Sequence, residues 1–375
     1  MRVLIAFSDT GGGHRAAANN LRDALQRRSE HIAVRLVDPY AMSGRWPFDQ
    51  LSAAYPRVIN GASWLWRSGF RLTNSRGLTA CAHALAWPAL RPTFAALHED
   101  GVPDVIVSTH PLLTSPLRRA FRDVPLAVVV TDLVSGHASW YYRKADLVIT
   151  PTSEARRQAL AFGVASARAI EVGLPVAPSF VHQRGEQQVL ARQLGWSVER
   201  PTVVLIGGGD GVGPLEQIAE AIDGAALPCD LAIVTGRNAP LAERLRARTW
   251  TGCVHIYDFV NTLGLMLRAA SALVTKAGPG TICEAFAAGC PLVLYGAIPG
   301  QESGNVQLVR ESGGGVWAPS AEAVTNALRA WFVGDEATTQ RARAAQAALA
   351  AARPFAADEI AERIVGLANA RALSR

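Results

Sequence analysis

Two short apolar runs in this chain each break into three glycines. Arg2 to Phe7 reads as a strand, is followed by Gly11-Gly12-Gly13, and opens into a helical pattern from His14 to Arg28 rich in Ala, Leu and Arg. Val203 to Ile206 reads as a second such strand and runs into Gly207-Gly208-Gly209. Glycine at the end of a strand lets the backbone turn sharply and lets N–H groups approach a ligand. Behind each loop, β-branched runs alternate with helical stretches. The first series is Ala33–Val37, Val105–Val107, Leu126–Val130 and Leu147–Ile149; the second is Leu231–Val234, Val254–Ile256, Ala272–Val274 and Leu292–Leu294. Such alternation predicts mostly parallel sheets covered by helices, an α/β fold. The series restarts after Gly173-Leu174-Pro175, and no repeat is visible beyond the shared plan. Two Rossmann-like domains facing a central cleft are expected: residues 1–177 and 178–354, with an amphipathic C-terminal helix, 355–375, packing back across the first.

A length of 375 residues suits two domains, and 49% hydrophobic against 18% charged residues excludes a disordered chain. The net charge of +6 fits an anionic partner, whether nucleic acid, lipid surface or nucleotide, or a surplus of Arg that keeps the protein soluble. The cysteines, Cys81, Cys229, Cys253, Cys283 and Cys290, form no CxxC pair. That argues against a zinc site or disulfide framework and suits free thiols in a reducing cytoplasm. The apolar start, Val3 to Phe7, is too short for an export signal, and no run approaches the ~18 residues of a spanning helix. Membrane contact is therefore expected to be peripheral. No DxD carboxylate pair is present to hold a catalytic metal, so neither metal nor cofactor is expected.

The first loop, Ser8 to Arg15, is weak on its own. Gly11, Gly13 and Ala16 satisfy a relaxed dinucleotide pattern, and Asp38 ends the second strand where a ribose-binding acid would sit, so a dehydrogenase competes. His14 either faces the cleft or merely caps and packs the helix start. The second half is more informative. KAGPGTICEA, Lys276 to Ala285, sets Gly278-Pro279-Gly280-Thr281 between a strand and a helix, exposing N–H groups and a hydroxyl to an anion such as diphosphate. Glu284 is expected on the first turn of that helix, able to take both hydroxyls of a ribose or simply to complement the helix dipole. IPGQESGN, Ile298 to Asn305, adds Gln301, Glu302 and Asn305 at the sheet's C-terminal edge, the donor–acceptor mixture a hexose needs.

These two segments resemble the donor half of the monogalactosyldiacylglycerol synthases and their bacterial relatives, the diacylglycerol glucosyltransferases and, more distantly, the muramyl-lipid N-acetylglucosaminyltransferase. SDTGGGHR at Ser8 to Arg15, VTDLVSGHASW at Val130 to Trp140, PTSEARRQAL after it and VGLPVAPSF at Val172 to Phe180 are also similar to the family. The resemblance covers nearly the whole chain. It implies a GT-B fold and an inverting transfer of galactose or glucose from UDP-galactose or UDP-glucose to diacylglycerol. It also implies residue roles. Glu284 would hold the ribose, Gly278, Pro279, Gly280 and Thr281 would line the diphosphate, and Gln301 and Glu302 would read the sugar, with Asn305 near the ribose or diphosphate. Phe259 and Val260, in the YDFV stretch, would meet the uracil. Lys276 and Arg237 would offset charge on departing UDP, and Gly208 and Gly209 would border the same cleft. His14 or Asp9 would be the general base, His14 preferred because its neutral form is available near pH 7. Gly12, Gly13, His137 and Trp140 would form the acceptor side; Val134 to Gly136 and Tyr141-Tyr142 depart from the plant enzymes there.

Tyr40 to Pro92 holds Trp46, Trp64, Trp66, Trp87, Phe48, Tyr55 and Phe70 with Arg45, Arg57, Arg67, Arg71, Arg76 and Arg91, against the single acid Asp49. Aromatics with arginines suit an anionic membrane surface or, by stacking and phosphate contacts, nucleic acid; Trp64, Trp66 and Trp87 also suit a core. The family resemblance favours lipid and no nucleic acid, with the protein on the cytoplasmic membrane face. A transfer to another membrane lipid, a UDP-sugar epimerase of the same fold, and a non-catalytic lipid- or nucleic-acid-binding module are the alternatives. The last explains neither Glu284 nor Gln301.

Overall fold

In a computed structural model the described residues are 1–9, 12–50, 69, 70, 72–183, 185–211 and 213–372. The expectations placed on Gly11, Tyr55, Arg57, Trp64, Trp66, Arg67 and Arg71 fall outside them. The chain divides into two compact units. One is Met1–Val176 with Pro299–Gln301 and Phe355–Arg375; the other is Ala177–Ile298 with Glu302–Pro354.

The first unit holds a six-stranded parallel sheet: β1 (Arg2–Ala6), β2 (Ala33–Val37), β3 (Val105–Ser108), β4 (Leu126–Val129), β5 (Leu147–Thr150) and β6 (Ala169–Glu171), in the order β2-β1-β3-β4-β5-β6. Side chains alternate across it. Leu4, Ala6, Ile106 and Val128 pack with Leu90, Phe94 and Leu97 of the Arg76–Glu99 helix. Their neighbours Val3, Ile5, Val105 and Val107 pack on the other face with Leu21 and Leu25 of the Gly13–Arg28 helix and Ile360 and Ile364 of the C-terminal Ala356–Ala372 helix. Burial on both faces is why these strands read as continuous apolar runs. Each fully buried Leu or Ile contributes roughly 1.5–3 kcal/mol. The Arg76–Glu99 helix carries Pro88 and Pro92 internally. Pro92 has no N–H to give the Pro88 carbonyl; Arg45 Nη1 donates to it at 3.5 Å instead.

The second unit repeats the plan with β7 (Thr202–Ile206), β8 (Asp230–Val234), β9 (Val254–Tyr257), β10 (Ala272–Lys276), β11 (Leu292–Gly296) and β12 (Gly315–Trp317), ordered β12-β11-β10-β7-β8-β9. The sequence pattern anticipates ten of these strands and misses β6 and β12, both edge strands of three residues. Three residues are too few to show alternation.

Candidate active site

In a parallel sheet, ligands bind beyond the strands' C-terminal ends, where strand order reverses and neighbouring loops diverge. That reversal falls between β1 and β3 in the first unit and between β7 and β10 in the second. Both positions are occupied by residues singled out above.

At the first, Gly12 adopts φ 77° and caps the helix that begins at Gly13. A left-handed residue there suits glycine, and a Cβ on either Gly12 or Gly13 would meet no atom among the described residues within 4 Å. His14 follows. Its Nδ1 lies 2.9 Å from Thr131 Oγ1, its ring meets His110 edge-on at 4.7 Å, and Trp140 lies 5.8 Å away on a tilt. Thr109 Oγ1 donates to the His14 carbonyl at 3.2 Å. Desolvation lowers the His14 pKa to about 4, so the imidazole is neutral at physiological pH. Burial likewise holds His110 well below its ordinary value, with the neighbouring His14 adding to the effect. Asp9, the other base candidate, has its carboxylate in an ion pair with Arg15 at 2.9 Å.

Asp38 does not behave as a dinucleotide ribose ligand. Its Oδ1 accepts from the Tyr40 and Ala41 N–H groups and its Oδ2 from the Asp9 N–H. The carboxylate caps the short Pro39–Met42 helix and ties the β1 loop to β2. The dehydrogenase reading loses its acid.

Trp140 is 0% exposed. Its indole donates to Asp132 Oδ2 at 2.7 Å, so it forms a wall behind His14 and exposes no surface of its own. His137 is pinned at both nitrogens, Nδ1 by Ser139 Oγ at 2.7 Å and Nε2 by Thr73 Oγ1 at 3.2 Å, and Phe70 meets its ring edge-on at 5.1 Å.

At the second reversal, β10 runs into Gly278, which caps a helix starting at Pro279. Proline brings no N–H to that first turn, and the first-turn amides of Gly280 and Thr281 have no carbonyl one turn back within the helix to bond, at the positive end of the helix dipole. Glu284 lies in the second turn of the Pro279–Ala288 helix, not the first, because the helix begins at proline immediately after the glycine. One turn in, its value as a dipole complement fades. Burial raises its pKa to about 7.

Lys276 Nζ donates to Glu302 Oε1 at 3.1 Å, and the Ile298 N–H donates to Glu302 Oε2 at 2.8 Å. Glu302 thus braces the β11 loop and balances the lysine. Asn305 is buried; its amide donates to the Ala277 carbonyl at 2.9 Å, and its Oδ1 has no partner among the described residues. An unpaired buried acceptor costs about 1–3 kcal/mol unless a ligand supplies a donor. Gln301 groups with the first unit.

The β7 and β8 loops are packed through glycines the sequence reading passed over. A Cβ on Gly236 would sit 2.3 Å from the Gly209 carbonyl oxygen, and one on Gly211 1.9 Å from that of Thr235. The Arg237 N–H donates to the Gly209 carbonyl at 2.9 Å. Its guanidinium pairs with Asp210 at 3.2 Å and lies over the exposed Phe259 ring at 4.9 Å, beside half-buried Val260. A Cβ on Gly208 would lie 3.6 Å from Lys276 Cε, so the β7 loop meets the C-terminal end of β10. Thr109, His110 and Thr131 were also missed as site residues; polar residues directly after apolar strands were the available signal. Among the described residues, no three His, Cys, Asp or Glu side chains are grouped to hold a metal, and no helix is long and apolar enough to cross a membrane.

Two parallel sheets of this order, each with its loop site at the reversal, define a GT-B-type fold. Solved structures agree at the level of fold: a putative UDP-N-acetylglucosamine 2-epimerase from Listeria monocytogenes superposes with TM-score 0.61 at 14% identity, over 96% of this chain and 94% of that one. WaaG, a glycosyltransferase involved in lipopolysaccharide biosynthesis, gives 0.56 at 14%, over 98% and 100%. Residues 14–176 match the family described as monogalactosyldiacylglycerol (MGDG) synthase, and residues 202–355 match the glycosyltransferase family 28 C-terminal domain. A probable monogalactosyldiacylglycerol synthase of Glycine max is 33% identical over 373 residues, 96% of this chain and 70% of that one. Monogalactosyldiacylglycerol synthase 1 of Arabidopsis thaliana is 33% identical over 349 residues, 88% of this chain and 64% of its own length, so the chain spans just under two thirds of that relative. The chain belongs to the monogalactosyldiacylglycerol synthase family.

Proposed function

We propose that this protein transfers galactose or glucose from a UDP-sugar to diacylglycerol, with inversion, forming a β-monoglycosyldiacylglycerol. The observation that carries the reading is His14: a neutral imidazole walled by His110 and Trp140 at the first sheet's reversal. In an inverting transfer the acceptor oxygen attacks the anomeric carbon as the bond to UDP breaks. UDP leaves with the bonding electrons, and the acceptor's proton goes to His14. On the donor side, the Gly280 and Thr281 amides suit the diphosphate, Glu284 the ribose, Phe259 and Val260 the uracil, and Gln301, Glu302 and Asn305 the sugar and its neighbourhood. Lys276 and Arg237 would stabilise the charge that builds on UDP. Trp140 would act as the wall that sets His14 and Asp132 rather than as a contact surface, with His137 nearby. No metal is assigned a role.

The acceptor's lipid character rests on the first unit's surface. From Leu78 to Leu90 the Arg76–Glu99 helix carries no formally charged residue, and its outward side chains include Leu78 and Leu85, the latter 78% exposed, with exposed Arg91 at the end of this stretch. Apolar side chains flanked by arginine suit an anionic membrane surface, contacted peripherally. The test is to incubate the protein with UDP-galactose or UDP-glucose and diacylglycerol in mixed micelles containing anionic lipid, and to identify lipid products by mass spectrometry and glycosidase digestion. A β-glycosyl lipid from one donor is expected. UDP binding without glycolipid would overturn the diacylglycerol acceptor.

A further inference from the structure

The proposed reaction asks His14 to take a proton at one ring nitrogen, and something must decide which. A neutral imidazole has one N–H and one bare nitrogen, and the partner of the first nitrogen fixes the tautomer. We infer that Thr131 is the positioning residue for His14, holding the proton on Nδ1 and turning bare Nε2 toward the acceptor. This inference rests on the reading of His14 as base.

Thr131 is 4% exposed, directly beyond β4, and its Oγ1 lies 2.9 Å from His14 Nδ1. The ring has little other freedom. His110 meets it edge-on at 4.7 Å, Trp140 lies at 5.8 Å, and the backbone beneath it is held by the Thr109 hydroxyl at 3.2 Å. Thr109 and His110 follow β3 and Thr131 follows β4, so the sheet itself sets the geometry on which the ring depends. A hydroxyl accepts a hydrogen bond without carrying charge. A carboxylate in its place would orient the ring and also raise its pKa; threonine orients it, and burial outweighs the hydrogen bond to the Thr109 backbone and the charge of Asp9, both of which favour the protonated ring. When His14 gains its second proton at Nε2, Nδ1–H remains a donor and Thr131 remains its acceptor. The arrangement therefore needs no rearrangement during the transfer.

The test uses the full chain with His14→Ala, Thr131→Val and Thr131→Ser, together with ¹⁵N shifts of the histidine ring in the unsubstituted protein. The ¹⁵N pattern is expected to place the neutral proton on Nδ1; a proton on Nε2 overturns the inference whatever the variants do. Thr131→Val is expected to lower kcat by ~10–10²-fold, the scale of a misplaced reacting group, with UDP affinity unchanged. Thr131→Ser is expected to restore most of it. Wild-type kcat in Thr131→Val, or equal loss in Val and Ser, overturns the inference. Normal turnover in His14→Ala instead removes the base reading itself, which separates the two failures.

Discussion

The two sheets place a loop site at the same topological position but build it from different chemistry. In the first unit the reversal between β1 and β3 gathers side chains: His14, His110 and Trp140 pack as rings, with Thr109 and Thr131 holding them. In the second, the reversal between β7 and β10 gathers backbone and charge: a helix start at Gly278 and Pro279, glycine loops in mutual contact, and Lys276 paired with Glu302. Ring packing strips water from an ionisable group and sets its protonation state. Glycine and helix-end amides present a fixed positive field to an anion with no side chain in the way. The proposed division of labour follows from this difference: the first site would move a proton and the second would hold a diphosphate.

Removing His14 tests the first half of that contrast most severely. His14→Ala should lower turnover by ~10²–10⁴-fold while leaving UDP affinity, measured by calorimetry, near the wild-type value. A large loss of UDP binding would erase the division of labour. Near-normal turnover would shift the base role to Asp9 or to no side chain.

The mirror experiment is Glu284→Ala. If Glu284 pairs with the ribose, UDP binding should weaken by about 1–3 kcal/mol, with the first unit's contacts untouched. Unchanged affinity would reduce Glu284 to a helix residue. The comparison also shows what the sequence could carry. The glycine loops were legible as strand-to-helix turns because a sharp turn after a strand favours glycine, whereas the placement of Glu284 slipped by one turn because proline right after Gly278 sets the helix start. The partners of His14 were not legible, because Thr109, His110 and Thr131 lie about a hundred residues away and meet it only through parallel strand order. Asp38 misled for a related reason: a carboxylate after a strand looks the same in sequence whether it faces a ribose or, as here, caps the helix that follows. The edge strands β6 and β12 were too short to leave a pattern.

A smaller effect is expected where the first unit is proposed to meet lipid. Arg91→Ala should weaken partitioning onto anionic vesicles by about 1 kcal/mol, roughly fivefold, with no change on neutral vesicles. Leu85→Glu should reduce binding to both, since it places charge on an apolar outward face. Equal binding by wild type and both variants would detach this helix from the membrane and leave its exposed leucines without a role.

The finest separation of the two sites comes from pH, because burial acts in opposite directions on their two groups. For a histidine, burial lowers the pKa, here to about 4, so the neutral base form is already present well above that pH. For a carboxylic acid, burial raises it, here to about 7 for Glu284, so the charged form, which on the proposed reading would accept ribose hydroxyls, is lost as pH falls through 7. Between pH 7 and pH 6 the charged fraction of such a group drops from one half to about a tenth, so UDP affinity should weaken by at most about fivefold. Over the same interval kcat at saturating donor should stay flat, since His14 remains neutral throughout. A fall in kcat with a midpoint near 6.5 would mean the imidazole is solvated in the working enzyme. UDP affinity independent of pH would mean that the ribose does not depend on the Glu284 charge.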